Sequence, residues 1–411
     1  MLINKNNIPL TLKIAIFAYL IIAFNPDIRA HSMLWYSITV ITSLLMLVYL
    51  ALVKKLKFNR YIWWLLIFNT WCLISMFWAL DQNSTLNSLK TALAQMIVLV
   101  PLSMLIRSKD DLYEILKVVV VAILITSAYL LINIDRSTIG QTRITDEGWN
   151  ANSIGMMTAV ATLLCFAIIK SGVSKLRLVF YLAAILFMGY ICLFTGSRKS
   201  LFILVAGIAL YYLFTAKNNK VLVLSGITGF IFLFYYLIMS VPELYNVMGI
   251  RVEGLLAQFT GESVADSSTR TRMLMIELGI DWFKQNPLTG YGLNNYRTLL
   301  AWAIGRSTYA HNNYVELLVG VGAIGTTIYY YIYAHIIKRL FRAARKKETT
   351  AALFFVLMVI LVIIEYGLVS YNGTLMQLAV CLGYAATNVK EGALTQERKV
   401  SIPSAGLSNP L

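Results

Sequence analysis

The chain has 411 residues, of which 59% are hydrophobic and 13% charged, and its mean hydropathy is +0.71. Soluble domains run nearer half apolar and about a quarter charged, so this composition excludes a single soluble globular enzyme. The formal net charge of +16 comes from 35 Lys and Arg against 19 Asp and Glu. In a chain this apolar it reads as membrane topology and not as a nucleic-acid surface.

Apolar runs of roughly 16–24 residues, long enough to cross a bilayer, recur from end to end. They predict helices over 11–25, 33–53, 61–80, 86–106, 112–133, 152–170, 177–195, 200–215, 221–240, 313–337, 350–369 and 371–388. The fold class is therefore an all-α polytopic membrane protein with about 12 transmembrane helices. The first run has two lysines near its start and no small-residue cleavage site after it, so it is expected to be retained. Four units follow: a bundle over 1–240, a large external loop over 241–312, further spans over 313–388 and a tail over 389–411.

Lys and Arg concentrate in alternate loops, around Lys54–Arg60, Arg107–Lys109, Lys170–Arg177, Lys217–Lys220 and Lys338–Lys347. The opposite loops are poorer in cations and include Asp135, Asp146 and Glu147. The positive-inside bias then places both termini in the cytoplasm, and most of the +16 orients the bundle toward anionic lipid. Cys72, Cys165, Cys192 and Cys381 fall inside predicted spans with no CxxC spacing, which suits buried free thiols.

The segment 241–312 stands apart. It holds five arginines (Arg251, Arg270, Arg272, Arg297, Arg306) against one lysine, Lys284, and six acids balance them. Arginine on a surface without charge excess points to placed guanidinium groups for phosphate or carboxylate. DSSTRTRMLMIELGIDWFKQNP predicts a helix of about 16 residues, capped by Asp266, Ser267 or Ser268 and stopped by Pro287. Arg270, Glu277, Asp281 and Lys284 share one face as a solvated charge stripe. Arg272 projects about 200° away, beside Ile276, Gly279 and Phe283. The ordinary reading is a snorkelling arginine; its place at a helix N-terminus favours an anion-binding one. The following PLTGYGLNNYR is either an ordinary loop or a rigid turn offering Tyr291 and amides to sugars.

The loop ends in TYAHNNYVELL. His311 sits there at the membrane boundary with Glu316 about one turn further on, either as a helix-capping residue or as a proton acceptor. His31 and His335 read as fillers. In FTGSRKS, between two short spans, Arg198 and Lys199 stand on the side that the charge bias leaves poor in cations. A cation so placed is a functional candidate, unless the turn is misassigned. GVGAIG at 320–325 matches GxGxxG formally, but no strand precedes it, so it reads as a small-residue packing face.

Thr195–Arg198, then R-x-x-M-x-x-x-G-x-x-x-F-x-x-x-P from Arg272 to Pro287, then HN-x-x-x-E from His311 to Glu316 resemble the O-antigen ligase / Wzy polymerase family. The resemblance covers roughly 190–325. It implies a GT-C-type fold and a metal-independent inverting glycosyltransferase without cofactor, at the outer face of a bacterial inner membrane. It implies a donor glycan on undecaprenyl pyrophosphate and a sugar-hydroxyl acceptor, glycan or lipid-linked. Ligases of the family use lipid A core as acceptor; polymerases of O-antigen or capsular polysaccharide use another lipid-linked repeat. The family's essential arginines fall on Arg198 and Arg272 and its essential histidine on His311. The chain has a single histidine before the Asn where some ligases have two nearby.

That chemistry suits the residues, because guanidinium groups stabilise a leaving phosphate and an imidazole takes a hydroxyl proton. Arg297, Arg306, Tyr291 and Glu316 are the second group of substrate-binding candidates. Membrane lipids, a chain-length regulator and a flippase are partners consistent with it; nucleic acid is not. A slight preference for polymerase rests on the absence of any lipid A signal. Two rival readings remain at this level. A glycolipid transporter would show discontinuous helices or inward charges, and Glu365 and Lys90 are the nearest to that. A peptidoglycan polymerase would rely on an acid such as Asp266 or Asp281.

Overall fold

The protein is described by a computed structural model over residues 8–145, 148–216, 220–260 and 267–389. Among these residues the chain is helical and no strand forms. The principal helices are α1 (Leu10–Phe24), α2 (Ser32–Leu52), α3 (Arg60–Ile74), α4 (Gln82–Leu105), α5 (Lys109–Asn133), α6 (Ala151–Lys170), α7 (Lys175–Phe194) and α8 (Arg198–Thr215). After them come α9 (Lys220–Ser240), α10 (Ile250–Thr260), α11 (Ser267–Gln285), α12 (Tyr296–Ile304), α13 (Asn313–Ala344), α14 (Thr349–Ile364) and α15 (Thr374–Ala386). Ten helices among the described residues are long and apolar enough to cross a membrane, and α1 and α15 are shorter apolar helices. These twelve occupy the twelve stretches expected from hydropathy, with ends shifted by a few residues.

Side-chain caps explain where several helices begin. Asn59, Asp81, Ser108, Asn150, Ser197 and Asn312 each accept a backbone N–H from the first turn that follows. At Ser108 the bond is reciprocated by Asp111, completing a capping box.

Packing follows from which helices are apolar all round. α14 and α6 are the most enclosed spans, and α13, α8, α7 and α5 pack around them. α1, α2, α3 and α4 close the other side of the bundle, with α15 wedged against α4 and α14. α9 touches chiefly α8 and the segment after it, so nearly all of its apolar surface faces outward. Close approaches are set by small residues. A Cβ on Gly155 of α6 would lie 2.3 Å from Ser200 Oγ and 2.5 Å from Thr195 Oγ1, so the TGSR turn lies tightly on α6. The four cysteines are free and buried.

The segment 241–312 is a chain of short elements at one end of the bundle. α11 runs 19 residues, somewhat longer than the 16 expected, and its apolar side docks on α13. A Cβ on Gly279 would meet Val315 Cγ1 at 2.3 Å, so glycine sets this contact. The charge stripe is seen in part: Lys284 and Asp281 pair at 2.9 Å on the exposed side. Asp266, with Asp146 and Glu147, lies outside the described residues.

The GVGAIG stretch differs from expectation. It is a break in α13, not a plain packing face, because Gly322 adopts φ 68 and ψ −175. Only glycine takes that conformation without a steric penalty. The break frees backbone groups that an apolar surrounding cannot hydrate, and several of them take other partners. Pro287 O accepts Ala323 N–H at 2.8 Å, and Tyr291 N–H donates to Val319 O at 2.8 Å. The Trp71 indole donates to Val321 O at 3.0 Å, and the Thr326 hydroxyl to Gly322 O at 2.7 Å. PLTGYG is therefore the plug of a broken helix. Glu365 is fully buried. It sits at the end of α14, where Tyr330, Tyr333, Ser370 and Asn313 all donate to it.

Candidate functional site

A cavity of about 620 Å³ lies at the loop end of the bundle, where His311 and Glu316 meet α4, the start of α6 and the segment before α15. His311, Arg272, Lys199, Arg297, Arg29 and the single acid Glu316 give it its charge. Its other wall is neutral and hydrogen-bonding, with Asn87, Ser88 and Thr91 of α4 and Asn372 before α15. Basic groups thus outnumber acids on one side, while amides and hydroxyls face them.

Each cavity residue is placed by its local sequence. Asn312 caps α13 by accepting Val315 N–H at 3.1 Å. Asn313 turns the other way, and its Oδ1 accepts the Ser370 and Tyr371 amides at 3.0 and 3.1 Å. Between them and the chain before them, Glu316 Oε2 accepts Ala310 N–H at 2.8 Å. The backbone at His311 then has to turn sharply, with φ 55, which directs the imidazole to the cavity. Tyr309 flanks the ring, the two centroids being 4.3 Å apart.

The electrostatics are those of a cation cluster with little to neutralise it. Burial, reinforced by Arg272, Lys199 and Arg306, pushes the His311 imidazole down to about 4. His311 is therefore neutral at ordinary pH and free to accept a proton. Arg143 tells the same story. Burial, then Arg251 and Arg272, push its guanidinium down to about 10. It donates to Thr195 O at 2.7 Å and Asn152 Oδ1 at 3.0 Å, which ties the loop after α5 to the TGSR turn. Unpartnered polar atoms also border the cavity. Glu316 Oε1, Arg297 Nε and Asn372 Oδ1 are buried without a hydrogen-bond partner among the described residues. Such atoms wait for a ligand or water.

The candidates from sequence fall in different places. His311, Arg272, Arg297 and Glu316 line the cavity together. Arg198 does not; its neighbour Lys199 does, donating at the same time to Gly367 O. The Arg198 Nε is buried and unpartnered, and its guanidinium lies 3.6 Å from where a Cβ on Gly254 of α10 would be. The turn that carries both is built as expected: Gly196 has φ 58, and a Cβ there would meet Val247 O at 2.7 Å. Arg306 is exposed beside the cavity and acts on His311 through its charge. Tyr291 does not line the cavity, and its hydroxyl donates to Trp282 O at 3.3 Å. Arg29 and Arg143 are not among the candidates that the sequence offers, whereas Lys199 is, beside Arg198. Lone cations in cation-poor loops were the available signal for the first two. No group of three or more His, Cys, Asp or Glu that could hold a metal ion occurs among the described residues.

A bundle of apolar helices with a mostly cation-lined cavity at its loop end defines a multi-pass membrane protein. Residues 183–330, from α7 through the break in α13, match the family model described as O-Antigen ligase. Arg198, Arg272 and His311 all fall within the matched stretch. Among curated proteins, none matches the chain.

Proposed function

We propose that this protein transfers a glycan from undecaprenyl pyrophosphate to a sugar hydroxyl at the outer face of a bacterial inner membrane. The observation that carries the reading is one cavity shared by a neutral histidine and several cations. In this reaction the sugar–phosphate bond breaks as the acceptor oxygen attacks the anomeric carbon. The leaving pyrophosphate gains charge, which Arg272 and Lys199 are placed to stabilise, with Arg198 adding positive charge from outside the cavity lining. His311 takes the acceptor hydroxyl proton. A bound pyrophosphate also offsets the neighbouring cations, so the imidazole becomes a stronger base when the donor is present.

The reaction as proposed is inverting and draws on these side chains alone. Both termini lie in the cytoplasm by the charge bias, which puts the cavity on the outer side. The acceptor we favour is a second lipid-linked repeat unit, making the protein an O-antigen or capsular polymerase; a ligase would use lipid A core. A chain-length regulator or flippase would then be its protein partners. Purified protein given only the lipid-pyrophosphate glycan tests this. Transfer releases undecaprenyl pyrophosphate and lengthens the glycan, whereas recovery of the intact linkage on both membrane faces would identify a transporter instead. Alanine at Arg272 or His311 should abolish release at normal protein abundance.

A further inference from the structure

A second concave site lies at the opposite, cation-rich end of the bundle. It is a groove of about 720 Å³ between α3 and α13, walled by Phe58, Trp63, Ile67, Ile328 and Tyr331. Trp63, Ile67 and Tyr331 are each more than half exposed, so the groove opens outward where a span meets the bilayer. Its floor is rigid, because the Trp64 indole donates to Ile328 O at 2.8 Å and so ties α3 to α13.

The mouth of the groove is charged. Arg60 lines it and donates to His335 Nδ1 at 3.0 Å, and His335 stacks along Tyr331. Arg339 lies one turn beyond His335 on α13, and both arginines act on that imidazole through their charge. Among the described residues neither has a carboxylate partner; Arg339 donates to Asn388 Oδ1 at 3.0 Å. One guanidinium group thus stands at the mouth of an apolar slot flanked by Trp and Tyr, and a second lies just beyond it along α13, neither with an acid partner among the described residues. An acyl chain fits the slot, and a phosphate completes the mouth.

We propose that this groove binds an anionic phospholipid, its acyl chain along Trp63 and Ile328 and its phosphate on Arg60 and Arg339. The occupant is a lipid because the slot opens on the surface that faces the bilayer. It is anionic because a zwitterionic headgroup adds an ammonium where the site already holds two cations. The site is independent of the cavity that carries His311.

The test uses the full chain in vesicles containing brominated lipid, which quenches nearby indoles. The Trp63 signal is the difference between the protein and its Trp63→Phe variant. Brominated phosphatidylglycerol should quench it at a several-fold lower mole fraction than brominated phosphatidylcholine. Arg60→Gln and Arg339→Gln should each narrow that preference by about fivefold. Equal quenching by the two lipids overturns the proposal, as does a preference that survives both substitutions. If the variants fold poorly, raising salt on the unmodified protein serves: a preference that salt leaves unchanged also overturns it.

Discussion

The Glu316 carboxylate holds the Ala310 amide at 2.8 Å, one residue before His311, while its second oxygen is buried and unpartnered among the described residues. One side chain on α13 thereby sets the backbone that aims the imidazole. Glu316→Gln keeps an oxygen for the Ala310 N–H and should leave thermal stability nearly unchanged. Glu316→Leu strands that N–H in a buried site, at a cost of about 1–3 kcal/mol. Melting of the purified variants in detergent checks the contrast, and equal midpoints would count against this role.

The pH dependence follows from His311. With its imidazole held down to about 4, the free protein keeps a neutral base as pH falls from neutral through the ordinary histidine value of 6.5. The acid limb of kcat/KM should therefore lie well below pH 6.5. Arg306→Gln removes a neighbouring cation that repels the imidazolium, so the limb should move up in pH. A downward movement, or none, in the pH–rate profile would contradict that sign.

Gly322→Ala tests the helix break. A Cβ at this position would lie 2.1 Å from Leu288 O, and the residue would also hold a backbone conformation open almost solely to glycine. We expect about 3 kcal/mol or more of destabilisation, seen as a lower melting temperature and reduced membrane abundance. Gly226 of α9 has nothing near its Cβ, and Ala there should be harmless.

Lys199 and Arg198 are adjacent yet differently placed. Lys199→Ala should raise the KM for the lipid-pyrophosphate donor and reduce its dependence on salt, because the ammonium lines the cavity. Lys199→Arg keeps the charge and should restore most of the affinity. Arg198→Ala removes a half-buried side chain beside α10 and should lower stability as well as rate. Initial rates against donor concentration, with melting in parallel, separate the two.

The twelve apolar stretches, the loop that breaks them and the motifs around Arg198, Arg272 and His311 can all be read from residue order. These are legible because bilayer thickness fixes the length of an apolar run, and helix caps and charge asymmetry are local signals. The charge stripe on α11 was readable for the same reason: residues three and four apart meet on one helix face.

Which cation faces the cavity, Lys199 or Arg198, depends on how the helices pack, since one residue along a helix turns a side chain by about 100°. Packing likewise sets PLTGYG against the break at Gly322 and brings Arg29, Arg143 and Arg297 to residues far off in the chain. Hydropathy cannot show these, because a break in an apolar helix and its repair involve backbone groups that every residue carries alike. The site is made where those long-range contacts close.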